Sequence, residues 1–186
     1  MNPHAQPERK TERLHLGRSS ASGARYFVTM VTAHRQPWLA QSAGAQAVLS
    51  ALQSWHTAGD GRIFAATVMP DHVHVLFELG QSLPLGRCVA RWKAEARRKI
   101  AYAGAWQRDF WEHLVRTEES WEDYGLYLFL NPYRAGLVRA GNAWPWWWAP
   151  EPGLFQFAGS LDANGAPPAA WIDGFDARLA DLATGE

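Results

Sequence analysis

His72 and His74 flank a single valine in the run Met69-Pro70-Asp71-His72-Val73-His74-Val75-Leu76-Phe77. In an extended strand, successive side chains point to opposite faces, so the two histidines share one face while Val73, Val75 and Phe77 take the other. Two imidazoles about 7 Å apart along a strand can converge on one divalent ion. On spacing alone the plainer reading, two half-exposed strand histidines without a ligand, is the stronger one. About fifty residues further on, Tyr127 and Asn131 stand four residues apart. At helical spacing they lie one above the other on one face. Brought against the histidine face, a phenol and a carboxamide oxygen would supply a nucleophile and a third metal ligand.

The elements that must position these groups follow from pattern. Pro70-Asp71 is a turn signal, and the two-residue connection predicts an antiparallel hairpin between strands at Arg62–Met69 and His72–Glu78. Arg25 to Thr32 alternates as a third strand. Ala43–Ala58 and Leu83–Tyr102 read as helices, and Gly59-Asp60-Gly61 breaks the first. The tyrosine helix opens at Trp121 behind Glu118 and Glu119 and is expected to end at Asn131-Pro132. Trp106 to Val115 reads as extended or irregular. A hairpin, a further strand and intervening helices predict an α+β fold with an antiparallel sheet and helices packed on one face.

Three motifs together carry a family resemblance: His72-Val73-His74; Trp106-Gln107 with Phe110-Trp111-Glu112-His113; and Tyr127-Leu128-Phe129-Leu130-Asn131-Pro132 with Arg134-Ala135-Gly136-Leu137-Val138. In this order and spacing they resemble the single-tyrosine HUH transposases, most nearly the REP-associated tyrosine transposases of bacteria, from about Tyr26 to about Trp146. The resemblance implies a ferredoxin-like central sheet with the histidines on a central strand and the tyrosine helix beside them. It implies Tyr127 as nucleophile, His72, His74 and Asn131 as ligands of Mg²⁺ or Mn²⁺, and a 5′-phosphotyrosine intermediate on single-stranded or hairpin DNA. Tyr124 lies three residues from Tyr127, but Tyr127 alone stands four residues before the Asn-Pro pair as the family's tyrosine does. His113 matches a family position and is an auxiliary candidate, to orient the site, to accept a proton, or as a purely structural histidine. Tyr133 and the run Trp146-Trp147-Trp148 depart from the family pattern.

A net charge of zero hides a segregated distribution. Between Ser82 and Ile100, Arg87, Arg91, Lys93, Arg97, Arg98 and Lys99 face one carboxylate, Glu95; from Pro150 onward, Arg178 faces six acidic residues. A basic block beside an acidic end suggests a polyanion-binding surface, against the plainer reading of a solvated helix face. Spacings of four and seven residues put Arg87, Arg91 and Arg98 on one helical face, the expected phosphate row, and Lys93 resembles a lysine that the family carries in this helix. The tryptophans at 144 and 146–148 could stack on unpaired bases or, more simply, close over the core. Residues 1–22 are expected as a flexible N-terminal segment, 23–149 as the catalytic domain and 150–186 as an acidic tail. One cysteine, Cys88, excludes an internal disulfide and a multi-cysteine zinc site. No apolar run approaches the ~20 residues of a membrane span, and a cytoplasmic location, nucleoid-associated when bound to DNA, is the default. Monomer and homodimer both remain open. So do two other activities of the same residues: a DNA-binding protein that no longer cuts, and a metal hydrolase using water in place of Tyr127.

Overall fold

The computed structural model describes residues 20–100 and 104–173. Strand β1 (Arg25–Val31) leads through short 3-10 turns to helix α1 (Ser42–Thr57) and the hairpin β2 (Gly61–Val68) and β3 (His72–Leu79). Helix α2 (Leu85–Arg98), strand β4 (Trp111–Val115) and helix α3 (Trp121–Arg134) follow, then the short strand β5 (Trp147–Trp148), two 3-10 turns and helix α4 (Ala169–Asp173). The sheet order is β4-β1-β3-β2-β5, with every neighbouring pair antiparallel. Its first four strands and two helices form the β-α-β-β-α-β order of a ferredoxin-like sheet, with the histidine strand β3 at its centre.

Burial on both faces explains why Val75, Leu76 and Phe77 follow one another in β3 without a polar residue between them. Val73, Val75 and Phe77 join α1 and α2 in one core, where Trp55 of α1, Trp92 of α2 and Phe77 meet edge to face. Leu76 points the other way, into a second core with Phe27 and Leu128. Helices do not all share one face, as the pattern suggested. Helices α1 and α2 cover one side and α3 the other, because the tyrosine helix carries its own apolar stripe of Tyr124, Leu128 and Phe129.

Residues 150–173 correct a second expectation. They belong to the fold and are not a tail: Phe155 and Phe157 are buried in the α3 core, and the Phe157 backbone N–H donates to Glu122 Oε1 at 2.9 Å. Most of the acidic residues that suggested a tail lie beyond Ile172, and full burial of one such ring is worth about 1.5–3 kcal/mol. Gly125 has the space requirement that follows, since a Cβ there would lie 2.1 Å from Phe155 Cε1. The acidic residues beyond Asp173 lie outside the described residues, as does most of segment 1–22.

The tryptophan run closes the sheet. Trp146 and Trp148 join the α1/α2 core and Trp147 the α3 core, the period of a strand. Trp144 Nε1 donates to the Val68 carbonyl at 3.1 Å. Together these contacts cover part of the β2 edge that would otherwise offer unpaired backbone groups.

Candidate active site

Thr29 on β1 and Thr67 on β2 pair with His74 on β3 in one cross-strand row on the α3 side of the sheet. His74 is 0% exposed. Its Nδ1 lies 2.9 Å from Thr29 Oγ1, and its Nε2 lies 3.0 Å from Asn131 Nδ2. With the amide donating to Nε2, the ring proton sits on Nδ1 and is donated to the threonine hydroxyl. Phe27 stacks under the imidazole at 5.5 Å, and the Tyr127 ring meets it edge-on at 5.6 Å. Burial, followed by the charges of His72 and Arg35, holds the His74 pKa well below the usual imidazole value. Neutral is the state a metal ligand needs.

His72 sits on the same face, its ring centroid 4.7 Å from that of His74. Asp71 Oδ1 accepts from His72 Nδ1 at 2.6 Å, and Arg35 Nη1 donates to Asp71 Oδ2 at 3.2 Å. Burial pushes the Asp71 carboxyl up, but the hydrogen bonds and charges of His72 and Arg35 outweigh it, and the net displacement is downward. The other ring nitrogen, His72 Nε2, is buried without a hydrogen-bond partner. A buried orphan of this kind calls for an explanation. A lone pair held open by a carboxylate on the opposite nitrogen has the chemistry of a metal ligand.

These residues fit a divalent cation held by two imidazoles and an amide oxygen. Among the described residues no group of three His, Cys, Asp or Glu side chains could hold one; the neutral group beside the pair is the Asn131 amide. The amide now presents Nδ2 to His74, and ligation requires it to turn.

Helix α3 is fastened to the sheet at the height of this site. The Ser120 side chain caps its N-terminus by accepting from the Asp123 N–H. Pro132 does not end the helix, contrary to expectation. Lacking an N–H, it leaves the Leu128 carbonyl without its helical donor, and Thr67 Oγ1 donates to that carbonyl at 2.8 Å. The helix runs on to Arg134 and stops at Gly136, at φ +68°, where the Leu137 N–H bonds to the Pro132 carbonyl and the Gly136 N–H to that of Tyr133. Tyr127 and Asn131 therefore both face His74. The Arg134 guanidinium lies 5.8 Å over the Tyr127 ring, a cation–π contact. Tyr127 itself is 2% exposed.

The other candidates are dispersed. His113 Nε2 lies 2.9 Å from both Glu119 carboxylate oxygens, and its ring stacks on Tyr124 at 5.5 Å. Tyr124 packs on Phe27 at 5.4 Å, so His113 reaches His74 only through two intervening rings. Burial, then Glu119, raises the Tyr124 phenol pKa, the reverse of what a nucleophile needs. Helix α2 lies across the sheet from the histidines. Arg87 and Arg98 are exposed there, while Arg91 is ion-paired with Asp60 at 2.7 Å and Glu95 at 2.8 Å. Lys93, expected at a phosphate, is only 9% exposed and donates to the carbonyls of Gln107 and Asp109, each at 2.9 Å. It ties α2 to the segment before β4. Sequence reasoning missed Thr29, Thr67, Arg35, Arg134 and the part played by Asp71. Only Asp71 and Arg134 carried a local signal, one adjoining the histidine pair and the other two helical turns from Tyr127.

Comparison with known proteins places this geometry. The sequence profile of the family described as "Transposase IS200 like" matches residues 20–122, more than half of the chain. A REP-associated tyrosine transposase of Escherichia coli is 30% identical over 89 residues, covering 45% of this chain and 51% of that protein. A Haemophilus influenzae protein assigned to the same class is 27% identical over 97 residues, covering 44% and 55%. The chain thus spans about half the length of these curated relatives. Among solved structures, a REP-associated tyrosine transposase bound to a REP hairpin superposes with a TM-score of 0.62 at 22% identity, over 87% of this chain and 94% of that one, which establishes a shared fold. With the family's own domain matched across the strands, the hairpin and the histidine pair, this chain belongs to the IS200-like transposases.

Proposed function

We propose that this chain is a divalent-metal-dependent, single-stranded DNA nicking and strand-transfer enzyme of the REP-associated tyrosine transposase type. The observation that carries the reading is the convergence of the orphaned His72 Nε2, the His74–Asn131 pair and the Tyr127 ring at one point on the sheet. A Mg²⁺ or Mn²⁺ ion held by His72, His74 and Asn131 would supply Lewis-acid polarisation of the scissile phosphate. Tyr127 Oη forms the new bond to phosphorus as the P–O3′ bond breaks, and the phenol proton ends on the departing 3′ oxygen. The product is a 5′-phosphotyrosine and a free 3′-hydroxyl. Phosphoester bond energy is retained, so the reverse attack rejoins strands without a nucleotide cofactor. Burial of Tyr127 limits competition from bulk water. The fold shared with a protein bound to a REP hairpin supports hairpin or palindromic repeat DNA as the substrate class. No helix among the described residues is long and apolar enough to cross a membrane; action on DNA in the cytoplasm is the location this reading proposes.

Incubation of the protein with a labelled single-stranded hairpin oligonucleotide and Mn²⁺ or Mg²⁺ tests the reading. The expected result is an SDS-stable adduct that Tyr127→Phe abolishes without loss of DNA binding. Binding with no adduct would identify a DNA-binding protein that no longer cuts. Cleavage without adduct would identify a hydrolase using water, and an adduct lost in Tyr124→Phe but kept in Tyr127→Phe would reassign the nucleophile.

A further inference from the structure

We propose that Asp71 and Arg35 form a positioning pair that sets the tautomer and aim of His72. It rests on the reading of His72 and His74 as metal ligands. Asp71 Oδ1 accepts from His72 Nδ1 at 2.6 Å, its Oδ2 accepts from Arg35 Nη1 at 3.2 Å, and the carboxylate is about one-fifth exposed. A free imidazole prefers its proton on Nε2, the atom that here faces the site. An anionic acceptor on Nδ1 draws the proton to that side, leaves the Nε2 lone pair open and makes it a stronger donor.

The backbone that delivers Arg35 is unusual. His34 and Arg35 take φ of 55° and 51°, two successive left-handed residues that are not glycine. Such residues persist only where the surroundings hold them. The Thr32 N–H and Oγ1 both donate to the Asp71 carbonyl at 2.9 Å, the Arg35 N–H returns to the Thr32 carbonyl at 3.1 Å, and the Leu39 N–H reaches the Pro70 carbonyl at 3.1 Å. The β1–α1 connection is thus stitched to the Pro70-Asp71 turn, and the outcome is a guanidinium placed on the second oxygen of the carboxylate that holds His72. An Asp serving only the turn would need its backbone carbonyl and nothing from Arg35. Both side-chain oxygens are engaged.

The test uses the full chain. In metal-free protein, at a pH where imidazoles are neutral, nitrogen-15 spectra of the histidine rings should show the His72 proton on Nδ1. Asp71→Ala should move it to Nε2, and Asp71→Asn, whose amide oxygen still accepts, should keep it on Nδ1. In Mn²⁺ titrations by calorimetry, Asp71→Ala should weaken binding by about ten- to a hundred-fold, with smaller losses in Asp71→Asn and Arg35→Ala. Wild-type tautomer and wild-type affinity in Asp71→Ala would overturn the positioning pair. If Asp71→Ala does not fold, the Mn²⁺ titrations of Asp71→Asn and Arg35→Ala decide, and wild-type affinity in both overturns the positioning pair. Absence of Mn²⁺ binding in the wild type, or affinity unchanged in His72→Ala, would instead overturn the metal reading, while the tautomer spectra still decide whether Asp71 aims His72.

Discussion

Replacing Thr29 by valine removes one oxygen and nearly nothing else. Valine keeps the β-branched shape that suits the middle of β1. What it deletes is the acceptor 2.9 Å from His74 Nδ1, in a place where His74 is 0% exposed and water cannot substitute. A buried donor left without an acceptor costs about 1–3 kcal/mol. The alternative, moving the proton to Nε2, sets an N–H against Asn131 Nδ2 and occupies the lone pair the site requires. For a domain of this size about 1 kcal/mol corresponds to roughly 2–4 °C in Tm, so Thr29→Val is expected to melt about 2–12 °C below wild type. Adduct formation on a hairpin oligonucleotide should fall as well, and Mn²⁺ affinity with it. Thr29→Ser restores the hydroxyl and should recover activity, losing only the packing of one methyl, about 0.8 kcal/mol. Thermal unfolding by circular dichroism and an adduct time course on the same samples are the assays. A Thr29→Val protein that melts with wild type and forms adduct at the wild-type rate would refute the argument that this hydroxyl holds the His74 tautomer.

Thr67→Val should cost a further ~1–3 kcal/mol by stranding the Leu128 carbonyl that Pro132 leaves without a helical donor; it should slow adduct formation more than DNA binding, and equal losses in both would argue against a role in helix register. Asn131→Ala should reduce cleavage less than His72→Ala or His74→Ala, because water replaces an amide oxygen more readily than an imidazole; calorimetric Mn²⁺ affinities in the three variants check the order. Because burial depresses the His74 pKa in the folded state, the unfolded chain takes up that proton first. Stability is therefore full above the ordinary imidazole value of about 6.5 and declines below it, by up to about 1.4 kcal/mol per pH unit, until the folded-state pKa is reached. Urea melts across this range should show the slope in wild type and its loss in His74→Gln; an identical slope in both would disprove the assignment. Each phosphate contact contributes about 0.7 units to the single-strand salt slope, so Arg87→Ala and Arg98→Ala should each lower it if α2 meets DNA. Arg91→Ala, ion-paired with Asp60 and Glu95, should change it less, and equal slopes throughout would leave α2 a solvated face.

The histidine strand, the tyrosine helix and their facing sides were legible in the sequence, because each rests on local periodicity. Period two separates His72 and His74 from Val73, Val75 and Phe77, and a four-residue interval aligns Tyr127 with Asn131. The hairpin turn at Pro70-Asp71 follows from local chemistry in the same way, whereas the end of the tyrosine helix does not: Pro132 marks a stop that the helix passes over, because Thr67 from β2 takes the carbonyl that Pro132 leaves free. Local pattern does not say which side of a sheet a helix will cover. Helix α2 showed a row of arginines, but only the packing of Cys88, Val89 and Trp92 against the α1 side put that row across the sheet from the histidines. Lys93 shows the same limit on a smaller scale. Its apolar stem allows burial while its ammonium finds carbonyls, and those carbonyls lie 14 and 16 residues away along the chain.

Sequence by itself determined which side chains could do the chemistry and which of them share a face. Tertiary structure decided what holds them: Thr29 at 45 residues from His74, Thr67 at 61 from Leu128 and Arg35 at 36 from Asp71. The fate of the C-terminal segment was decided there too, because Phe155 and Phe157 sit in a Pro- and Gly-rich stretch too short to mark a strand or helix and become core only where α3 leaves space at Gly125. The physical reason is common to all of these. Periodicity is a property of neighbours along the chain, whereas a hydrogen bond across strands or a ring against a helix is fixed only when the sheet register brings distant residues within a few ångströms.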